Sequence, residues 1–386
     1  MPLLVVGVAA VIVFGTLYPF AFACPPGAPS ADLFAPMTPL LDRKGDIVAN
    51  LVLFVPLGLA VAGALHRRSA ALRLAAAVAL GVALSFAVEM AQTCVVHRSA
   101  SWRDIALNAI SVAAGAILAL VAGRAIARGL RAGKVVDLSA LLLLALYALW
   151  RLAPFVPTID WQKWKNALKP LREWHAVTPL ELASYAIVWV VFARLVRASV
   201  PSRPVLATFL LMGCYFAGRL VIQGRAIGPA DLAGAAIGFV VAAAFVRPVK
   251  ARDAVLAVLM LGAIVQAALE PYTPAVPPNP FLWIPFQGFL KGSLYVNVQS
   301  MAGKLFLYAG MVWLLVRAGM KPLWAGLLTA APLAVLEAVQ VHLDRRVAEV
   351  TDPILALLSA GVLAILDRRQ RRAAPGGGPV VWPRYT

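Results

Sequence analysis

Apolar runs of about 20 residues recur along the whole chain, separated by short polar or proline-rich segments. A helix of that length crosses the roughly 30 Å hydrocarbon core of a bilayer with every backbone hydrogen bond made internally. Only 13% of the residues are charged, against roughly 25% in an average soluble domain. The sequence therefore predicts an all-α fold, a polytopic transmembrane helical bundle.

Twelve such spans are predicted along the 386 residues. They cover residues 3–23, 48–65, 72–95, 104–123, 137–157, 179–196, 204–222, 230–247, 254–270, 302–317, 322–342 and 352–367. With both termini in the cytoplasm, every short inside loop is basic and most Asp and Glu residues lie outside, which is the positive-inside pattern. The formal net charge of +18 is thereby explained by topology, so an N-in, C-in orientation and no nucleic-acid partner are expected.

A polar motif recurs at the mouth of three apolar runs. Two full copies read Glu89-x2-Gln92-x5-Arg98-x5-Asp104 and Glu337-x2-Gln340-x5-Arg346-x5-Asp352, and the middle copy keeps only Arg225 and Asp231. Each copy also follows a leucine-x-proline-aromatic step, which ends a span among the headgroups: Leu17-x-Pro19-Phe20, Leu152-x-Pro154-Phe155 and Leu269-x-Pro271-Tyr272.

Internal repetition of this kind predicts three parallel four-helix repeats. The repeats cover residues 1–130, 131–250 and 251–367, and a basic cytoplasmic tail covers residues 368–386. The middle repeat is degenerate, because Phe216 and Arg219 stand where the other two have glutamate and glutamine.

The motif predicts a small polar bowl at the outer membrane surface. Glu89 and Gln92 share a helix face, and a carboxylate within a span costs up to roughly 2.5–3.5 kcal/mol, so it is expected to face a cavity or a partner. Arg98 lies in the loop above and can reach Glu89. Asp104 opens the next helix and Asn108 lies one turn further. The candidate ligand-binding residues are Glu89, Gln92, Arg98, Asp104, Asn108, Arg225, Asp231, Glu337, Gln340, Arg346 and Asp352.

Structural roles for the same residues stay open. Each aspartate could be a helix N-cap, and each glutamate could form an ion pair that pins two spans. The three cysteines, Cys24, Cys94 and Cys214, form no C-x-x-C pair, and the four histidines form no metal-binding pattern. No cofactor and no metal are expected, catalytic residues are unknown, and a non-enzymatic role is favoured.

At these residues the chain resembles the VanZ-like family of small bacterial membrane proteins. The resemblance depends on Leu-x-Pro-Phe at the end of the first span, on Asp46…Asn50-x3-Phe54-x-Pro56-x-Gly58, and on the first polar motif with Asn108 and Gly115. It implies a multi-pass protein of the bacterial inner (plasma) membrane with a role in the cell envelope. The family is associated with resistance to the glycopeptide teicoplanin, but no catalytic assignment follows from the likeness.

Three hypotheses follow from these observations. In the first, the bowl binds an anionic or hydroxyl-rich group of a lipid-linked or amphiphilic ligand, with Arg98 and Arg346 clamping the anion. In the second, the chain is a membrane enzyme acting on lipid-linked saccharide or peptide precursors, with paired carboxylates dividing acid and base roles. In the third, it translocates a lipid or small solute. Membrane lipids are the expected partners, and protein partners are unknown.

Overall fold

The computed structural model describes residues 2–17, 20, 22–23, 53–95, 101–131, 137–153, 155, 158–244, 249–290 and 294–373. Within these ranges the regular structure is helical, and pairing between extended segments is limited to isolated bridges. The predicted all-α class is confirmed. The motif residue Arg98, and Asp46 and Asn50 of the family pattern, lie outside the described residues.

Fourteen α-helices follow one another in the described residues. They are α1 Pro2–Leu17, α2 Val55–Ala64, α3 Ala70–Gln92, α4 Trp102–Arg131, α5 Leu138–Leu152, α6 Trp161–Leu168, α7 Pro179–Ser199, α8 Pro204–Val221, α9 Pro229–Ala244, α10 Lys250–Leu269, α11 Gln287–Leu290, α12 Leu294–Arg317, α13 Pro322–Gln340 and α14 Thr351–Ala373. Each predicted span overlaps one of these helices. Seven helices in the described part are long and apolar enough to cross a membrane, namely α3, α4, α7, α8, α10, α12 and α13. The count of twelve spans and the orientation stay predictions.

The chain divides into two compact bodies, one of residues 1–131 with 290–295 and one of residues 132–289 with 296–386. In the first body α2 and α4 approach until their backbones touch. A Cβ atom on Gly58 would lie 2.1 Å from the Val112 carbonyl oxygen, and one on Gly115 would lie 2.1 Å from that of Val55. Small residues allow such close packing in membranes, where dispersion contacts replace the hydrophobic effect between helices. Family-pattern residues Gly58 and Gly115 are therefore packing residues.

The second body has a core of aromatic side chains contributed by both the second and the third predicted repeats. Tyr147 of α5 contacts Trp189 of α7 and Phe306 of α12, with ring centroids 5.6 and 5.1 Å apart. Trp189 in turn packs edge-on against Tyr215 of α8 at 5.0 Å. Trp189 and Phe306 are buried, as is Phe54 at the corresponding place in the first body.

Two ion pairs hold the second body together at the end where α5 and α10 begin. Asp137 accepts from Arg317 and from the indole of Trp313, and Asp253 accepts two bonds of 2.9 Å from Arg194. The guanidinium groups of Arg194 and Arg317 lie 5.1 and 5.2 Å from the Trp313 ring. Buried carboxylates require such donors because an unpaired buried charge is costly. The polar motif lies at the opposite end of these helices.

Candidate functional site

The two motif glutamates occupy the same structural position. Glu89 and Glu337 are 3% and 2% exposed, at the ends of α3 and α13. Each carboxylate accepts a backbone N–H twelve residues later, from Ser101 at 2.9 Å and from Glu349 at 2.7 Å. The bonds fix the loop that leads into the next helix, three residues before the motif aspartate. The glutamate–arginine pair, which the sequence left open as a structural alternative, is not among the ion pairs of the described residues for Glu337, whose carboxylate is bonded to this amide.

The glutamine position ties the third helix of each repeat to its first. Gln92 donates to the carbonyl of Thr16 at 3.0 Å, and Gln340 donates to that of Ala268 at 3.1 Å. Arg219, which replaces glutamine in the middle repeat, donates to the carbonyl of Arg151 at 3.4 Å. All three acceptors are the second-last residue of their helix. The arginine therefore preserves the hydrogen bond of the amide it replaces.

The proline-aromatic steps adopt one turn in all three repeats. Phe20, Phe155 and Tyr272 have φ of 63°, 58° and 62°, in the left-handed region that bulky side chains rarely enter. Each of their amides donates to the carbonyl of the leucine three residues earlier, at 2.8, 3.1 and 2.8 Å. The turn redirects the chain across the end of the bundle.

Three residues beyond each of these turns, the chain is bonded to the segment that carries the motif. The amides of Ala23, Thr158 and Ala275 donate at 2.7, 2.8 and 2.8 Å to the carbonyls of Cys94, Val221 and His342 respectively. Matching bridges join Phe22 to Val95 and Pro274 to Leu343. The motif segments of all three predicted repeats are therefore bonded at the same place to the chain that follows the first helix of that repeat.

The described motif arginines are bonded within the protein. Arg346 donates to the backbone carbonyls of Ala267 and Glu270 at 2.7 and 2.6 Å, so it caps the last turn of α10. Arg225 donates to the side chain of Gln299 at 2.8 Å and thereby links the second predicted repeat to the third. A ligand anion would have to share Arg346 with these carbonyls, which weakens the predicted clamp.

The motif aspartates have different surroundings in the two bodies. Asp231 is 1% exposed and accepts from Arg151, Tyr215 and Trp189 at 2.6, 2.5 and 3.0 Å. With three donors it is saturated, so in the middle repeat this position is structural. Asp104 lies in the first turn of α4, half-buried, as expected for a helix start.

In the third predicted repeat Asp352 belongs to a polar cluster that the sequence motif did not indicate. It accepts from Lys304 at 2.6 Å and from the hydroxyl of Tyr308 at 2.5 Å, both on α12. Lys304 lies 3.6 Å from Glu349, whose carboxylate also accepts the amide of Gly288 at 3.2 Å. The sequence did contain one indication of this cluster, namely that Lys304 lies inside a predicted span. A lysine within a membrane is costly unless it faces partners or a cavity.

The cluster lines a cavity of about 370 Å³ within the second body. Three of the four motif positions of the third repeat reach it, namely Gln340, Arg346 and Asp352. The wall also includes Trp150, Phe289, Ser300, Lys304, Arg345 and Glu349. A cavity of this size with aromatic walls and a few placed polar groups is typical of a small-ligand site. Glu337 stands behind the wall, beside Asp352 and Lys304.

Asn108 occupies a lower level in the first body. It is 3% exposed, and its amide donates to the Ser85 hydroxyl at 2.9 Å, which joins α4 to α3. Its own carbonyl oxygen has no protein donor among the described residues. In the first predicted repeat Glu89, Gln92 and Asn108 are thus all buried and bonded within the protein.

Cys94 is disulfide-bonded, which the spacing of the cysteines did not indicate. Cys214 is free and exposed on α8, and the third cysteine, Cys24, lies outside the described residues. Disulfides persist in oxidising compartments outside the cytoplasm. In the described part of the chain no three His, Cys, Asp or Glu side chains are grouped as a metal site requires.

Comparison with known proteins finds a family match for the N-terminal part of the chain. Residues 4–123 match the model of the VanZ/LLP1 family, from α1 into α4. The resemblance inferred from the first repeat is therefore confirmed for this part of the chain. No curated protein and no solved structure matches the chain.

Proposed function

We propose that this chain, whose residues 4–123 carry the VanZ/LLP1 family pattern, is a multi-pass envelope-membrane protein that binds a hydroxyl-rich or anionic, lipid-linked or amphiphilic ligand. The ligand site is the polar cavity of the third repeat. The observation that carries the proposal is the convergence of Gln340, Arg346 and Asp352, three positions of the repeated motif, on one cavity with Lys304. Seven apolar helices of membrane-crossing length support the membrane location.

Three tandem VanZ-like repeats are part of the proposal. Support comes from hydrogen bonds that recur at matched positions, including the glutamate–amide bonds of Glu89 and Glu337 and the glutamine–carbonyl bonds of Gln92 and Gln340. A chance likeness of sequence would not produce the same two hydrogen bonds in both copies of the motif, each to the backbone atom at the matching position. The middle repeat keeps the scaffold and has lost the glutamate.

The site is proposed to face the outside of the cell membrane. The basic loops lie at the other end of the helices, as the positive-inside rule requires of a cytoplasmic face. The disulfide of Cys94 supports the same orientation, because it lies next to the motif of the first repeat and disulfides form outside the cytoplasm. A labelling reagent that cannot cross the membrane should therefore reach a cysteine introduced at Val347, which is 56% exposed beside the cavity.

The charges of the cavity favour a hydroxyl-rich group over a bare phosphate. Lys304, Arg345 and Arg346 face Glu349 and Asp352, with Glu337 just behind, so positive and negative groups balance. Carboxylates and amides that alternate with cationic donors suit hydroxyl groups, which both donate and accept. The headgroup saccharide of a lipid-linked precursor, or a glycopeptide such as teicoplanin, carries many such hydroxyls.

The proposal is tested by binding to the purified, nanodisc-embedded protein, with teicoplanin and a lipid-linked disaccharide-pentapeptide as probes. Lys304→Met removes the central cation, and Ser300→Leu obstructs the cavity without changing its charge. We expect each to weaken binding about tenfold or more, as the loss of one charge-assisted bond or of the space itself requires. Lys321→Met, an exposed lysine at the other end of α13, is the matched control and should leave binding unchanged.

Cells that express the chain should also tolerate more teicoplanin than cells that express the Ser300→Leu variant. If neither probe binds, or if both cavity variants bind like the Lys321→Met control, the ligand site is rejected. The helical scaffold would then be all that the repeated motif maintains.

A further inference from the structure

A second cavity of about 370 Å³ lies in the same body, between α7, α8, α9 and α10. Its walls are almost wholly apolar, with Val190, Val205, Phe239 and Leu256 among them. Val205 and Val255 line it and are also 40% and 57% exposed, so the cavity is a groove open along its side. In a membrane this opening faces lipid.

The groove lies at the opposite end of the helices from the polar cavity. Both cavities are lined by α10, the apolar groove by residues from Ala251 to Leu259 and the polar cavity by residues from Ile264 to Ala268. A helix rises 1.5 Å per residue, so the middles of these two stretches are about 17 Å apart along its axis. With the predicted spans, this separation assigns the two sites to opposite leaflets of the bilayer.

One end of the groove carries an excess of positive charge. Three arginines line it, Arg194, Arg197 and Arg252, against the single carboxylate of Asp253. Asp253 is already bonded to Arg194 through both of its oxygens at 2.9 Å. None of the ion pairs between described residues includes Arg197, which lies one turn beyond Arg194 at the end of α7. A half-buried guanidinium group beside apolar walls is stabilised by a bound anion.

We propose that this groove is a binding site for an anionic phospholipid of the leaflet opposite to the polar cavity. One acyl chain fills the apolar groove and the phosphate is bound by Arg197. Arginine presents paired N–H donors that match phosphate oxygens, and long apolar walls beside it select an amphiphile over a soluble anion. The site is independent of the ligand proposed for the polar cavity and uses none of its residues.

The test uses the full chain purified in a neutral detergent, with bound lipids counted by native mass spectrometry during separate titrations with phosphatidylglycerol and phosphatidylcholine. We expect phosphatidylglycerol to bind about tenfold more tightly than phosphatidylcholine. Arg197→Gln should remove that preference, because the tenfold ratio corresponds to one charge-assisted contact. Arg203→Gln is the matched control, since Arg203 is a basic, exposed residue at the same membrane face that does not line the groove.

A second variant distinguishes lipid binding in the groove from non-specific electrostatic attraction of lipid to the basic surface. Ala242→Phe fills the groove without changing charge and should weaken both lipids several-fold, whereas simple attraction to basic loops would leave binding unchanged. Equal binding of the two lipids by the unaltered protein overturns the proposal without any variant. It is equally overturned if Arg203→Gln lowers the preference as much as Arg197→Gln, or if palmitate displaces phosphatidylglycerol at equal concentration.

Discussion

Replacing Asp231 by alanine removes one acceptor that three buried donors share. Arg151 lies 2.6 Å from the carboxylate with side chains 12% and 2% exposed, and Tyr215 and Trp189 donate to it at 2.5 and 3.0 Å. Breaking a buried ion pair from one side costs about 3–5 kcal/mol, because the other charge is left uncompensated. Each neutral donor without an acceptor adds about 1–3 kcal/mol when counted separately. The three terms overlap, so we expect a loss of about 4–5 kcal/mol in the free energy of unfolding.

The measurement is reversible unfolding in mixed micelles, with tryptophan fluorescence as the signal. Asp344→Asn is the matched control, because its carboxylate is 55% exposed and meets only the exposed Arg345, at 3.6 Å, among the ion pairs of the described residues. That change should cost less than about 0.5 kcal/mol. The double variant Arg151→Met, Asp231→Leu removes both charges and should recover much of the loss. The expectation fails if Asp231→Ala costs less than about 1 kcal/mol. It also fails if the loss in the double variant equals the sum of the losses in the Arg151→Met and Asp231→Leu single variants.

Three further predictions concern other parts of the fold. Gly58→Ala should cost about 3 kcal/mol or more in unfolding titrations, because the new methyl would meet a carbonyl of α4 at 2.1 Å, whereas Gly123→Ala, with open space around it, should be neutral or slightly stabilising. Cys94→Ser should lower the free energy of unfolding by about 2–4 kcal/mol and abolish the mobility shift on non-reducing gels; an unchanged shift would show that no disulfide forms there. Glu337→Ala should lower the free energy of unfolding by about 1–3 kcal/mol, because the buried amide of Glu349 loses its acceptor. Glu337→Gln keeps an acceptor oxygen and should retain most of the stability, which thermal unfolding of the two variants would measure.

The positions of the helices followed from the sequence because each depends on a local pattern. An apolar run, a proline-aromatic step and a short basic loop give start and end points without knowledge of the neighbours. Phe20, Phe155 and Tyr272 were correctly grouped by spacing, and all three adopt the same left-handed turn. The hydrogen-bond partners of the motif residues could not be predicted from the sequence. Glu337 and Arg346 are close in sequence, yet they bond to backbone atoms of different segments.

Lys304 and Tyr308 contact the motif residue Asp352 but lie outside the motif itself. They lie on α12, some 50 residues before the aspartate that they contact, and the first repeat has no tyrosine at the matching place, where Pro56 stands. In the third predicted repeat this pair brings Asp352 to the wall of a cavity. A single repeated motif thus supports two environments, depending on what the second helix presents to it.

Composition and the length of the apolar runs determined that the chain is helical and that it suits a membrane. These properties are local, because hydrogen bonds within a helix and the apolar length needed to cross a bilayer involve only consecutive residues. Only tertiary structure decided that Asp231 is saturated by Arg151, that Arg346 caps α10, and that Asp352 borders an open cavity with Lys304. Such contacts join helices far apart in the chain, so their identity depends on how the helices pack.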